Sequence, residues 1–387
     1  MKLTIDSQRL YKKCQAAAKT LPSKAMLPAY AWFLIEADAF SGITITACGE
    51  GERCTYLVED VELTGDAASF CIDARQLIGI LGELPQQPIT IEINSSHTAA
   101  TVRWGGGNGK AELPIYAVAE YPTADFKYNH AIELPVSTLS DVAQCVQFVV
   151  ADDELRPVMS GTLYDFREGN LVVVGSDGQA LVRMTAGGVG EPDYMGGDER
   201  KTSVIVPRRA YAMLDMFVKE AQRSGKETVR MEWGAANACF STSDATVMTR
   251  LAEGNYPNYN SVIPVSNPFN AIVDRLSLIA ALRRTMVFAQ KSTMRVHMRF
   301  EEGKLTIEGS DMDFSTSSSE HLPAQLGGMD RFVVAVNASK LLDVLSHLST
   351  EEVLIEGSEP SRALLFTGVN DERMLLMLLM PMMLNEV

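Results

Sequence analysis

The chain has 387 residues, 46% of them hydrophobic, and carries 34 Lys and Arg against 49 Asp and Glu, a net charge of −15. That length implies two to four domains with a core each, and the acidic balance excludes wholesale coating of nucleic acid, leaving room only for a locally basic face. Six cysteines without a C-x-x-C pair and five scattered histidines offer no zinc spacing, and MKLTIDSQRLYKKC shows no apolar leader, so reduced thiols in the cytoplasm are expected.

The first predicted element is an amphipathic helix in IDSQRLYKKCQAAAKTL, with apolar residues at three- and four-residue steps. TACGEGERCTYLV follows as an apolar strand, a tight turn and a returning strand. A second helix lies in CIDARQLIGILGEL, with Asp73 in its first turn, a residue type that favours helix starts. WGGGNGKAELP has a faint phosphate-loop look, but no Gly stands five before Gly109, Ala111 replaces the Ser or Thr, and no helix follows. It reads as a hairpin turn. The span closes at YAVAEYP, with Pro122.

The same order then recurs twice. LPVSTLSDVAQCVQFVV and VDRLSLIAALRRTMVFAQ repeat the first helix, aligning Leu139 and Leu278 with Leu10. VVGSDGQALVRM and IEGSDMDFSTSS repeat the strand, turn and strand. IVPRRAYAMLDMF and VAVNASKLLDVLSHL repeat the second helix, with Pro207 and Asn337 as its starting residues. RLAEGNYP and LLMLLMP repeat the close, at Pro257 and Pro381. The chain is therefore read as three copies of about 130 residues each, divided as 1–128, 129–266 and 267–387. Residues 374–384, apolar throughout and too short to cross a bilayer, are read as the third closing strand. The copy relation does not account for their excess of Met and Leu, which suits a soft, adaptable docking wall.

No catalytic constellation emerges. Asp177 and Asp311, in SDG and SDM, occupy equivalent turn positions where the turn alone explains an aspartate. Asp152, Asp153 and Glu154 cannot all face one ion from regular structure and read as a solvated loop. Charge is more informative. Residues 6–21 carry Arg9, Lys12, Lys13 and Lys19 against Asp6, and residues 274–291 carry Arg275, Arg283, Arg284 and Lys291 against Asp274. Residues 207–223 add Arg208, Arg209, Lys219 and Arg223 against Asp215 and Glu220. Singly each is a solvated helix face; on one common surface the helices would attract phosphates without reading bases.

LRPVMSGTLYD, VVGSDGQALVRM, GNYPNYNSVIP, VNASKLLDVL and the terminal LLMPMML, in this order across three copies, resemble the bacterial sliding clamp family, the β subunit of the replicative DNA polymerase. The resemblance covers essentially the whole chain. It implies an α+β fold of three repeated clamp domains, each with two inner helices and outer antiparallel sheets, assembling head to tail into a homodimeric ring around double-stranded DNA. It implies no catalysis, no metal and no cofactor, with polymerase, clamp loader and repair proteins docking through short apolar peptides.

The family's peptide pocket maps here to Met159, Ser176, Gly178, Gln179, Ala180, Leu181, Pro257, Ser261, Val262, Thr293, Asn337, Lys340, Ser361, Ala363, Leu378, Leu379, Met380, Pro381, Met382, Met383 and Leu384. The expected DNA-facing residues are Arg9, Lys12, Lys13, Lys24, Arg208, Arg209, Arg283 and Arg284. The expected subunit contact sets Val287 and Phe288 against the first-domain edge strand near Leu113. Where the family often has His-Arg, this chain has Gln179 and Ala180, which makes the pocket less polar. Acids at Asp152 and Asp153 count against a DNA contact there, and Asn385, Glu386 and Val387 extend past the usual ending. The alternatives are a repeat scaffold that binds only proteins, and a hydrolase using Asp177 or Asp311 with a metal.

Overall fold

A carboxylate or amide just ahead of an apolar stripe starts four of the six α-helices that the computed structural model shows among its described residues, which are 1–38, 42–94, 96–123, 126–153, 155–196 and 202–384. Helix α1 (Ser7–Ala17) is capped by Asp6, and α2 (Ala74–Gly82) by Asp73, which accepts from the Gln76 N–H at 2.8 Å. Helices α3 (Val136–Cys145) and α4 (Tyr211–Arg223) follow. Helix α5 (Arg275–Thr285) is capped by Asp274 and α6 (Ala338–Ser346) by Asn337. Each such cap satisfies a backbone donor that the first turn cannot satisfy itself. The aligned Leu10, Leu139 and Leu278 are all buried.

Pro207 departs from its expected role. It ends the strand Ser203–Pro207, and α4 begins only at Tyr211, after the 3-10 turn Arg208–Ala210 and without a side-chain cap. That strand lies at the edge of its sheet, where a missing N–H is tolerated.

The chain forms two compact units, and the middle copy contributes to both: residues 1–140, 192–201 and 209–251 make one, and residues 141–191, 202–208 and 252–387 the other. All strand pairing among the described residues is antiparallel. In the first unit, Ala245–Arg250 of the middle copy pairs with Glu52–Val58 of the first, Val247 opposite Cys54, within a sheet of 14 strands. In the second, Ala180–Ala186 pairs with Leu375–Leu379, Leu181 opposite Leu378, within a sheet of nine. A four-stranded sheet completes that unit. Successive copies thus share sheets edge to edge, which removes edges that would otherwise invite aggregation.

The three predicted strand-turn-strand spans are present as Gly42–Cys48 with Glu52–Val58, Asn170–Ser176 with Ala180–Ala186, and Lys304–Asp311 with Thr316–Pro323. Gly105 to Asn108 join Ala99–Trp104 to Gly109–Tyr116 as a hairpin, with all three glycines at positive φ. The closing strand is shorter than expected. It covers Leu375–Leu379 rather than residues 374–384, because Met374 has a φ of 46° and Pro381 has no N–H to continue a ladder. Beyond it, the Met382 N–H donates to the Ala335 carbonyl at 2.7 Å.

Candidate peptide-docking cavity and basic surface

The strand Leu375–Leu379 lies between Ala180–Ala186 and Leu364–Gly368, and this central place buries Leu378 and Leu379 to 2% and 0% exposure. Leu181, Leu378, Leu365, Ala363 and Tyr259 belong to one buried cluster with Leu163, Val174 and Ile205. Above it opens an apolar cavity of about 240 Å³ within the second unit. Met159, Ser176, Gly178, Gln179, Ala180, Leu181, Pro257, Val262, Leu378 and Met380 line it, all of them expected from the sequence. Its volume suits a few apolar side chains of an extended peptide, held by desolvation with few polar contacts.

Tyr256, Asn258 and Tyr259 also line the cavity and were missed. Their signal lay in GNYPNYNSVIP, where aromatic residues flank Pro257. Tyr259 donates to Asp165 at 3.4 Å, and Asp165 in turn pairs with Arg167 at 2.7 Å. Burial, then the Asp165 charge, pushes the Tyr259 hydroxyl above its ordinary pKa. The Tyr256 hydroxyl is buried without a hydrogen-bond partner among the described residues.

The remaining mapped residues stand elsewhere. Leu379 and Ala363 are core, Ser261 and Ser361 are exposed, and Pro381, Met382, Met383 and Leu384 follow the strand, with Met383 86% exposed. Thr293, Asn337 and Lys340 form a chain of contacts: Asn337 donates to the Thr293 carbonyl at 2.9 Å and caps α6 at the Lys340 N–H at 3.0 Å. Lys340 lines a separate polar cavity of about 430 Å³ with Asp152, Asp153, Arg156, Asp177 and Asp343. There its ammonium pairs with Asp177. Burial opposes the Asp177 charge, but the Lys340 ammonium and two backbone N–H groups outweigh it and hold the carboxyl below the usual carboxylate range.

Asp177 is the turn residue the sequence suggested, accepting from the Gln179 and Ala180 N–H groups at 2.8 Å each. Asp153 likewise holds its own loop, accepting from the Leu155 N–H and pairing with Arg156 at 2.7 Å. Glu154 and residues 385–387 lie outside the described residues. Among the described residues no group of three or more His, Cys, Asp or Glu could hold a metal ion.

Of the eight expected phosphate-facing cations, five are engaged within their own unit. Arg9 pairs with Asp60, Lys13 with Glu220 at 2.7 Å, Arg209 with Glu52 at 2.5 Å and Arg284 with Glu320 at 2.6 Å. Arg208 donates to the Val150 carbonyl at 2.7 Å and lies 4.0 Å from Asp152. Lys12, Lys24 and Arg283 are exposed and make no ion pair among the described residues.

Among the strand edges of the described residues, two bear on the expected subunit contact. The strand Gly109–Tyr116 pairs through residues 109–114 with Ala99–Trp104 only, and Thr316–Pro323 ends the four-stranded sheet. Leu113 is buried within its own unit, whereas Val287 and Phe288 are 76% and 38% exposed.

Three family models match the chain in order: DNA polymerase III beta subunit, N-terminal domain over residues 1–125, central domain over 133–258 and C-terminal domain over 260–383. The chain is 25% identical to the beta sliding clamp of Synechococcus elongatus over 364 residues, 92% of each chain. It is 23% identical to that of Bacillus subtilis over 405 residues, 98% of this chain and 99% of the other. Its fold matches the crystal structure of a Pseudomonas aeruginosa sliding clamp bound to griselimycin, with a TM-score of 0.88 and 22% identity over 99% of this chain and all of that one. The Bacillus subtilis clamp structure matches with a TM-score of 0.87 and 21% identity over the full length of both.

Proposed function

The chain belongs to the DNA polymerase III beta subunit family, and from that premise we propose that two copies close head to tail around duplex DNA and tether the replicative polymerase without making or breaking a bond. The three clamp domains span 1–128, 129–266 and 267–387, with the helices turned to the DNA, and the protein works in the cytoplasm. The open edge at 109–114 of one subunit receives Thr316–Pro323 of the other, with Val287 and Phe288 packed beside it. A heterologous contact that closes after two copies gives a ring rather than a filament. Lys12, Lys24 and Arg283 supply loose, sequence-independent phosphate contacts.

The observation that carries the docking role is the apolar cavity, built from ten of the mapped pocket positions. Peptides from polymerase, loader and repair proteins seat apolar side chains there. Val262, which is 51% exposed on the cavity wall, offers a test that spares the core. Val262→Glu places a charge against the incoming side chains. Extension of a primer on a long template by the cognate polymerase is expected to fall back to the short products made without clamp. Full-length products with the variant would refute docking at this cavity.

A further inference from the structure

The two carboxylate oxygens of Asp177 point to different parts of the second unit. Oδ1 accepts from the Gln179 and Ala180 N–H groups, and Oδ2 takes the Lys340 ammonium. Gly178, Gln179 and Ala180 wall the apolar cavity; neither Lys340 nor Asp177 lines it. Gly178 has a φ of 87°, so this turn has a backbone that few other residues would hold. The Gln179 carbonyl also receives the Met380 N–H at 2.8 Å, so the turn also fixes where the chain leaves its last strand, beside the cavity residue Met380.

Lys340 sits in the first turn of α6, at the helix end where a cation is electrostatically disfavoured. Helix stability therefore does not explain it. Asn337, Thr293 and the cap fix its backbone, and the ammonium reaches Asp177. We infer that Lys340, acting through the Asp177 carboxylate, is a positioning residue that holds the Gly178 to Ala180 turn in place and so sets how tightly the cavity grips an apolar ligand. The affinity half of this inference rests on the cavity being the docking site.

Removing the ammonium leaves Asp177 facing Asp343 on α6 and Asp152, Asp153 and Arg156 on the loop, with Arg156 already paired to Asp153. Burial then acts on the carboxyl without its main counterweight, so Asp177 takes up a proton at higher pH and its hold on the two amides weakens. In the native chain the carboxyl stays ionised from pH 8 to 5, and the turn is insensitive to pH across that range.

The test has two readouts on the full-length protein. Hydrogen exchange of the Gln179 and Ala180 amides reads the turn without any ligand. Titration calorimetry with griselimycin, from pH 8 to 5, reads the cavity. Lys340→Met is expected to speed exchange at both amides roughly tenfold and weaken binding by a similar factor, as loss of a charged hydrogen bond implies. The binding loss deepens as pH falls, while the wild type stays flat and Lys340→Arg restores both readouts. Asp177→Asn reproduces the exchange effect and adds nothing further in the Lys340→Met background. Unchanged exchange in Lys340→Met and Asp177→Asn, or equal losses at every pH, would overturn the inference. Faster exchange with no griselimycin binding by the wild type would overturn the docking reading and the affinity claim with it, while the positioning of the turn by Lys340 stood.

Discussion

Leu378 and Met380 line the same cavity, yet Leu378 is 2% exposed and Met380 41%. The difference separates a supporting side chain from a contacting one. Leu378→Ala is expected to cost about 2–5 kcal/mol of stability, because the surrounding strands cannot collapse into the space. Met380→Ala should leave stability within about 0.5 kcal/mol, as partly exposed substitutions usually do, while weakening apolar ligands. Denaturant melts and calorimetry on the two variants check this division. Ten cavity residues were legible because the resemblance fixed their positions one by one. Tyr256, Asn258 and Tyr259 were not: the aromatic residues flanking Pro257 marked the segment, but nothing local says which face of an irregular loop turns toward a cavity. The sequence also could not show that Lys340 reaches Asp177, a contact spanning 163 positions in the chain.

Helix starts show what the scale of elements contributes. Asp6, Asp73, Asp274 and Asn337 cap their helices; the apolar step of three and four residues located α1, α3 and α5, and the starting residues Asp73 and Asn337 located α2 and α6. Hydrogen bonds from Ser277 hold the Asp274 carboxyl below its usual range. A depressed carboxylate contributes stability that is present above the unfolded pKa of about 3.9 and lost as pH falls through the lower folded value. Asp274→Ala should therefore cost about 1 kcal/mol at pH 7, and the gap to wild type should close below pH 4. Thermal melts across pH 7 to 3 measure it. Pro207 misled because Pro serves both a helix start and a strand edge, and only pairing across the sheet distinguishes them. The last strand was read too long because an apolar run carries no mark of where its ladder stops.

At the scale of the molecule, three copies were visible as recurring helices and turns, but the sharing of sheets between copies was not. Pairing such as Ala245–Arg250 with Glu52–Val58 joins segments nearly 200 residues apart and has no local pattern. Charge counting along helices found the cations and not the acids paired with them, which leaves Lys12, Lys24 and Arg283 as the expected cations without an ion pair among the described residues. Loose, sequence-independent phosphate contacts of this kind give weak affinity, and lasting association then comes from closure around the duplex. Retention of the loaded protein on a nicked circular duplex, measured at moderate salt before and after one cut linearises it, tests that claim most directly. The expected result is long retention on the circle and prompt loss after the cut; equally fast loss from both forms, with loading confirmed, would contradict it.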